Sequence, residues 1–158
     1  MSPSDDDRRS TTGATAGASS GATAAPRTFE QVEFGESLPD FAADVSLPNV
    51  KRFAKAASMM AGRFIDHDEA RQAGLPGAIV PGIMSQGILV ALIHRWAPNA
   101  EVLSVDTVFR ATVLVDSQPV ARGVVTDIDE ATRVIELDLM LVNERGETPV
   151  VGTARITL

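Results

Sequence analysis

The spacing of apolar residues along this chain changes character twice. Between Gly77 and Trp96 the run GAIVPGIMSQGILVALIHRW is apolar, with Ser85 and Gln86 as polar interruptions near its start. Ile83, Leu89, Val90, Leu92 and Ile93 leave almost no polar face after Gln86, and a helix apolar nearly all round is one buried in a globular core. Pro81-Gly82 opens this segment and Pro98-Asn99 closes it. It is too short, and too interrupted at Ser85-Gln86-Gly87, to read as a membrane span. Beyond it the period becomes two. Leu103–Val115, Val120–Ile128, Arg133–Asn143 and Val150–Leu158 alternate as strands, most clearly Ile135, Leu137, Leu139 and Leu141 against Glu136 and Asp138. Turn-like joints at 116–119, 129–131 and 144–147 predict an antiparallel meander. One apolar helix followed by four antiparallel strands predicts an α+β fold, a single domain whose antiparallel sheet wraps around a central helix.

The stretch ahead of the helix carries weaker signals. Phe41, Ala43, Val45 and Leu47 alternate as a strand that Pro48 closes. Val50, Phe53, Ala54, Ala57 and Met60 recur at helical spacing, predicting a helix over Asn49–Ala61 with Asn49 as its N-cap and Gly62 as its stop. A short helix follows within Arg63–Gly74, with Asp66 and Glu69 at capping-box spacing. Residues 1–28 form a different segment. Up to Pro26 it contains no Val, Ile, Leu or Phe and is rich in Ser, Thr, Gly and Ala, so it cannot offset its own ordering entropy. The expectation is a disordered tail over 1–28 and a folded domain over 29–158. The tail lacks the apolar region of a secretory signal, and no apolar segment follows Arg8-Arg9, so it does not read as a twin-arginine signal either.

Composition removes several function classes. A net charge of −7 is unsuited to nucleic acid or an anionic membrane surface, both of which need a positive footprint. With no cysteine, thiolate metal sites, disulfides and cysteine nucleophiles are excluded, and the composition fits a reducing, cytoplasmic setting. The two histidines, His67 and His94, have no acidic-histidine cluster at ligand spacing, so no metal and no other cofactor is expected.

The run Ala70-Arg71-Gln72-Ala73-Gly74-Leu75-Pro76-Gly77-Ala78-Ile79-Val80-Pro81-Gly82-Ile83-Met84 resembles the MaoC-like enoyl-thioester hydratases and dehydratases, which have the hot-dog fold. In that family an Asp-x-Asn-Pro-x-His motif precedes an Ala-rich turn and then Ile-x-His-Gly-Met. The resemblance extends over roughly Val50 to Leu158 and is sharpest from Phe64 to Trp96. Laid on this chain without gaps, the family motif puts the catalytic His on Phe64 and the catalytic Asp on Met59. The Asn-Pro pair falls on Ala61-Gly62, and a helix serine falls on Val90. General acid–base work needs groups that hold and release a proton at working pH, and Met and Phe cannot.

The remaining candidates follow from that alignment. His67 lies three residues past the family position, and the residue five before it is Gly62 rather than a carboxylate. It is the one weak catalytic candidate, with Asp66 or Asp68 as the partner and a surface histidine as the alternative. His94 either suits the C-terminal end of the helix dipole or lies at an interface. The resemblance implies that the Gly82 backbone amide, at the helix N-terminus, points at a thioester carbonyl; the alternative is a glycine required for close packing. Pro81 replaces the usual His there and pre-sets the helix entry. Met59, Phe64, Gly82 and Ile83 are the expected substrate-binding residues. Arg110 is either a phosphate contact for coenzyme A or a solvated strand residue.

The resemblance implies a protein of acyl-thioester metabolism, with enoyl-CoA or an enoyl acyl-carrier-protein as ligand. Its expected role is that of a non-catalytic subunit in a homodimer or in a heterodimer with a catalytic hot-dog subunit. The alternative is an active (R)-specific enoyl-CoA hydratase or 3-hydroxyacyl dehydratase using displaced residues. A hot-dog thioesterase is a third reading, but those enzymes usually place a carboxylate on or near the central helix, where this chain has Ser85 and Gln86.

Overall fold

The computed structural model describes residues 24–158, so residues 1–23 of the tail expected over 1–28 lie outside the described residues. Within 24–28, Arg27 is tied to the fold. Its guanidinium pairs with Glu36 at 2.8 Å and lies 4.6 Å from the Trp96 ring centroid, while its backbone N–H donates to Asn99. A 3-10 turn at Phe29–Gln31 then leads into β1 (Ser37–Ala42).

Three short helices follow: α1 (Leu47–Ala56), α2 (Gly62–Ile65) and α3 (His67–Gln72). The central helix α4 (Gly82–Trp96) precedes β2 (Glu101–Phe109), β3 (Val120–Asp129), β4 (Val134–Val142) and β5 (Val150–Thr157). The strands form one antiparallel sheet in the order β1-β3-β4-β5-β2, and α4 packs against β1, β2, β3 and β4. Leu89, Leu92 and Ile93 from the helix and Ile135, Leu137, Leu139, Leu141 and Ile156 from the sheet are fully buried between them. This is the α+β sheet around a central helix that the periodicity predicts.

Four details differ from the sequence reading. The first strand is Ser37–Ala42 rather than Phe41–Leu47. Pro39 inside it has no N–H to donate, which an edge strand tolerates, and among the described residues β1 pairs with β3 alone. Helix α1 begins earlier than expected, with Ser46 in the N-cap position and Pro48 in the first turn. Asn49 is therefore not the cap; its amide donates to the Asp44 carbonyl at 2.6 Å. The helix stops before Gly62 because Ser58 turns left-handed at φ 56°, and Gly62 instead opens α2. Finally, only β3, β4 and β5 form a meander: β2 runs beside β5 at the far edge.

The β2 exception has a local cause. Residues after Phe109 do not turn straight into β3; they return beside the strap that enters α4. Val80 N–H donates to the Val113 carbonyl, Val115 N–H to the Ala78 carbonyl, and Ile79 bridges Leu114. Helix α4 is also less enclosed than its composition suggests. Its buried positions, Met84, Ser85, Ile88, Leu89, Leu92, Ile93 and Trp96, cover one broad face. Ile83, 57% exposed, and the exposed Gly87 and His94 lie on the other.

The turn after α1 makes a prediction. A non-glycine residue in the left-handed region costs about 1 kcal/mol or more, and the exposed Ser58 hydroxyl makes no hydrogen bond to another described residue. Ser58→Gly therefore raises stability by roughly 0.5–1 kcal/mol in urea melts, after its greater unfolded-state entropy is subtracted. A loss of stability would show that Ser58 is not strained.

Candidate functional site

The expected site residues occupy two neighbouring supports. Met59, half-buried, sits in the turn after α1, where its N–H donates to the Ala54 carbonyl at 2.7 Å. Phe64 is buried in α2 with the Arg63 guanidinium 4.7 Å from its ring centroid. Gly82 and Ile83 open α4. The supports are joined because the Arg63 carbonyl accepts from Ile79 N–H at 2.9 Å, in the strap leading to Gly82. Met59 and Phe64 thus present a half-buried thioether and a buried aromatic ring, neither of which titrates.

At Gly82 the helix begins with free donors. Met84 and Ser85 N–H both bond the Pro81 carbonyl, and among the described residues Gly82 and Ile83 N–H have no protein acceptor. Two orphan N–H groups at the positive end of a fifteen-residue helix are suited to a carbonyl or an anion. Gly82 also answers a packing need: a Cβ there would lie 3.3 Å from the Cε1 and Cζ atoms of Phe109. One turn on, Gln86 donates to the Thr107 hydroxyl at 3.0 Å. The inner face of β2 therefore lies along the first two turns of α4. Ser85 is buried, and among the described residues there is no carboxylate on α4.

His67 has a different partner from those the sequence suggested. Asp66 caps α3, accepting from Asp68 and Glu69 N–H, and Asp68 pairs with Arg71. The imidazole instead reaches Asp116, with Nε2 2.9 Å from Oδ2, while its Nδ1 accepts from Ala78 N–H at 3.1 Å. An N–H aimed at Nδ1 requires the lone pair there, so the proton is on Nε2 and is donated to Asp116. Asp116 stands at φ 63° and its other oxygen accepts from Leu47 N–H at 2.8 Å. The Leu47 N–H first, and the His67 hydrogen bond second, hold the Asp116 carboxyl below its ordinary value of 3.8. A depressed carboxylate stabilises the fold above its unfolded pKa. This contribution is lost as pH falls below the ordinary carboxylate range.

These bonds make a latch. Asp116, from the β2–β3 connection, ties the first residue of α1 to the first residue of α3, and His67 passes the connection on to the strap before α4. Sequence reasoning missed Asp116 because it is 49 residues from His67. The available signal was an Asp at the head of the 116–119 turn, a residue type that tolerates positive φ.

Arg110 is exposed just past β2, with its N–H on the Pro149 carbonyl. It borders a groove of about 340 Å³ with Asp106, Val108, Asp138, Met140 and Thr153. Thr107 and Phe109 face α4, so Asp106 and Val108 lie on the outer face of the sheet, and two carboxylates beside Arg110 make that groove a poor phosphate site. His94 is exposed in the last turn of α4, beside Arg95. Among the described residues no group of three or more His, Asp or Glu could hold a metal ion. Among them, too, no helix is long and apolar enough to cross a membrane.

No model of a protein family matches the sequence, and no curated protein is significantly similar to it. Solved structures are informative. The (R)-hydratase from A. caviae involved in PHA biosynthesis superposes with a TM-score of 0.78 at 19% identity, over 82% of this chain and 98% of that one. A chain of the ChsH1–ChsH2 complex from Mycobacterium tuberculosis gives 0.74 at 18% identity, over 81% and 99%. The MaoC-like dehydratase from Rhodospirillum rubrum gives 0.70 at 15% identity, over 82% and 94%. At these identities the likeness is one of fold, and it spans nearly the whole of each of those chains. Residues 24–158 therefore have the hot-dog fold found in MaoC-like dehydratases and (R)-hydratases.

Proposed function

We propose that this chain is a cytoplasmic, MaoC-like hot-dog subunit of acyl-thioester metabolism that supplies pocket wall and stability without performing the proton transfer. The observation that carries this reading is the commitment of His67. Its two ring nitrogens are taken by Ala78 N–H and Asp116, leaving neither to reach a substrate. Met59 and Phe64 hold no proton either. The alternative, an active (R)-specific hydratase working through His67, would need one of those two hydrogen bonds to open in every turnover.

The thioester ligand rests on the free N–H groups at Gly82 and Ile83, suited to polarising a carbonyl. The partner subunit rests on the surface around them. Among the described residues strand β2 pairs with β5 on one side only, which leaves its other edge open there. Ile83, Leu103 and Phe109 are each about half exposed or more, and apolar surface beside an open strand edge favours association. The catalytic groups would come from the partner. Affinity purification from the native host tests this. The chain is expected to bring down a second hot-dog subunit bearing the Asp and His, and the pair is expected to hydrate crotonyl-CoA. Recovery of a homo-oligomer alone would contradict the heteromeric role.

A further inference from the structure

The charge on α1 and α2 runs against the rest of the chain. Residues 47–65 contain Lys51, Arg52, Lys55 and Arg63 and no acid, in a protein of net charge −7, and Lys51 and Lys55 are its only lysines. All four cations are exposed. Lys51 and Lys55 are one turn apart and Arg52 precedes Lys55 by three, so the three share one side of α1 opposite the buried Val50 and Ala54. The neighbouring acids are Asp44, which accepts from Ser46 N–H and lies near Arg52, and Asp66, which caps α3 and lies near Lys51; among the described residues neither forms an ion pair with the α1 cations. Met60, 53% exposed, stands between this face and Arg63.

We infer that this basic face is the docking surface for an acidic carrier protein that delivers the acyl thioester. The inference rests on the thioester reading above and names the carrier. Phosphates of a free nucleotide are best held by donors that converge in a concavity, whereas these cations splay outward from a convex helix. Such a face suits a row of carboxylates on a protein surface, and the exposed methionine beside it supplies an apolar contact. The position is also appropriate. The face adjoins Met59 and Phe64, so a docked carrier would hold its acyl arm at the rim of the site. The complementary charges act mainly on encounter, so affinity depends on salt.

The test uses the full chain and two probes, crotonyl acyl-carrier-protein and crotonyl-CoA, with affinities measured at low and at physiological salt. The carrier protein is expected to bind, more weakly as salt rises. The triple reversal Lys51→Glu, Arg52→Glu, Lys55→Glu is expected to weaken it about tenfold or more, and the neutral Gln triple by less. An equal reversal at Arg122, Arg145 and Arg155 should leave it unchanged. Carrier binding that survives the α1 reversal overturns the docking surface while leaving the thioester reading intact. So does a wild-type chain that binds crotonyl-CoA through these residues and ignores the carrier. If the wild-type chain binds neither probe, the thioester reading falls and takes the docking surface with it.

Discussion

Replacing His67 with alanine is expected to destabilise the domain by about 2–3 kcal/mol, and most of that loss comes from one backbone group rather than from the ion pair. Ala78 is fully buried, and its N–H has the His67 Nδ1 as acceptor. An orphaned buried donor costs about 1–3 kcal/mol. The His67–Asp116 contact is partly solvated, with 27% and 51% of the two side chains exposed, so its own contribution is at most about 1 kcal/mol. Two isosteres separate the terms. Asparagine can place its Oδ1 near the Nδ1 position and keep the Ala78 bond. Glutamine can place its amide nitrogen near Nε2 and keep the Asp116 bond. Urea melts should rank wild type above His67→Asn, then His67→Gln, then His67→Ala. If the alanine variant lies within about 0.5 kcal/mol of wild type, the latch is not holding the strap.

Gly152→Ala is expected to be comparably harmful, at about 2–3 kcal/mol, for a reason of space. In the sheet Gly152 faces Thr107 on β2 and Leu139 on β4. A Cβ there would lie 2.6 Å from the Asp106 carbonyl oxygen, a backbone atom with no rotamer to escape into. Leu89 from α4 and the Thr107 hydroxyl are each 3.6 Å away, so the methyl is hemmed in from the helix side too. Relief requires β2 to move away from β5, which also pulls Thr107 from Gln86 and Phe109 from Gly82. Hydrogen exchange should therefore show protection lost first along β2. Unchanged β2 protection with wild-type stability would mean that the strand has slack at this point.

Much of the fold was legible because it is written in short-range periodicity. The central helix and the last four strands follow from runs whose spacing leaves little choice, and the observed boundaries fall close to the expected ones except at the end of β2, which stops at Phe109 rather than Val115. The first strand was displaced because Pro39 reads as a breaker unless the strand is known to be an edge. The sheet order was not legible. Placing β2 beside β5 depends on where the 110–119 connection travels, and that path is fixed by bonds to the strap before α4. The same nonlocality hid the partner of His67, since the neighbouring carboxylates were the visible ones and both had other tasks. The proposal that Met59 and Phe64 stand where the family carries its acid and base rests on the motif alignment alone. What no pattern could reveal was that His67 has both nitrogens in use.

A hydration assay tests most directly whether His67 moves a proton. Purified chain alone, followed by loss of the enoyl-thioester absorbance of crotonyl-CoA, should give no rate above buffer, and His67→Ala should leave that baseline unchanged. Turnover by the homogeneous wild-type chain, abolished in His67→Ala with the fold intact, would contradict the account and make His67 the proton-handling residue.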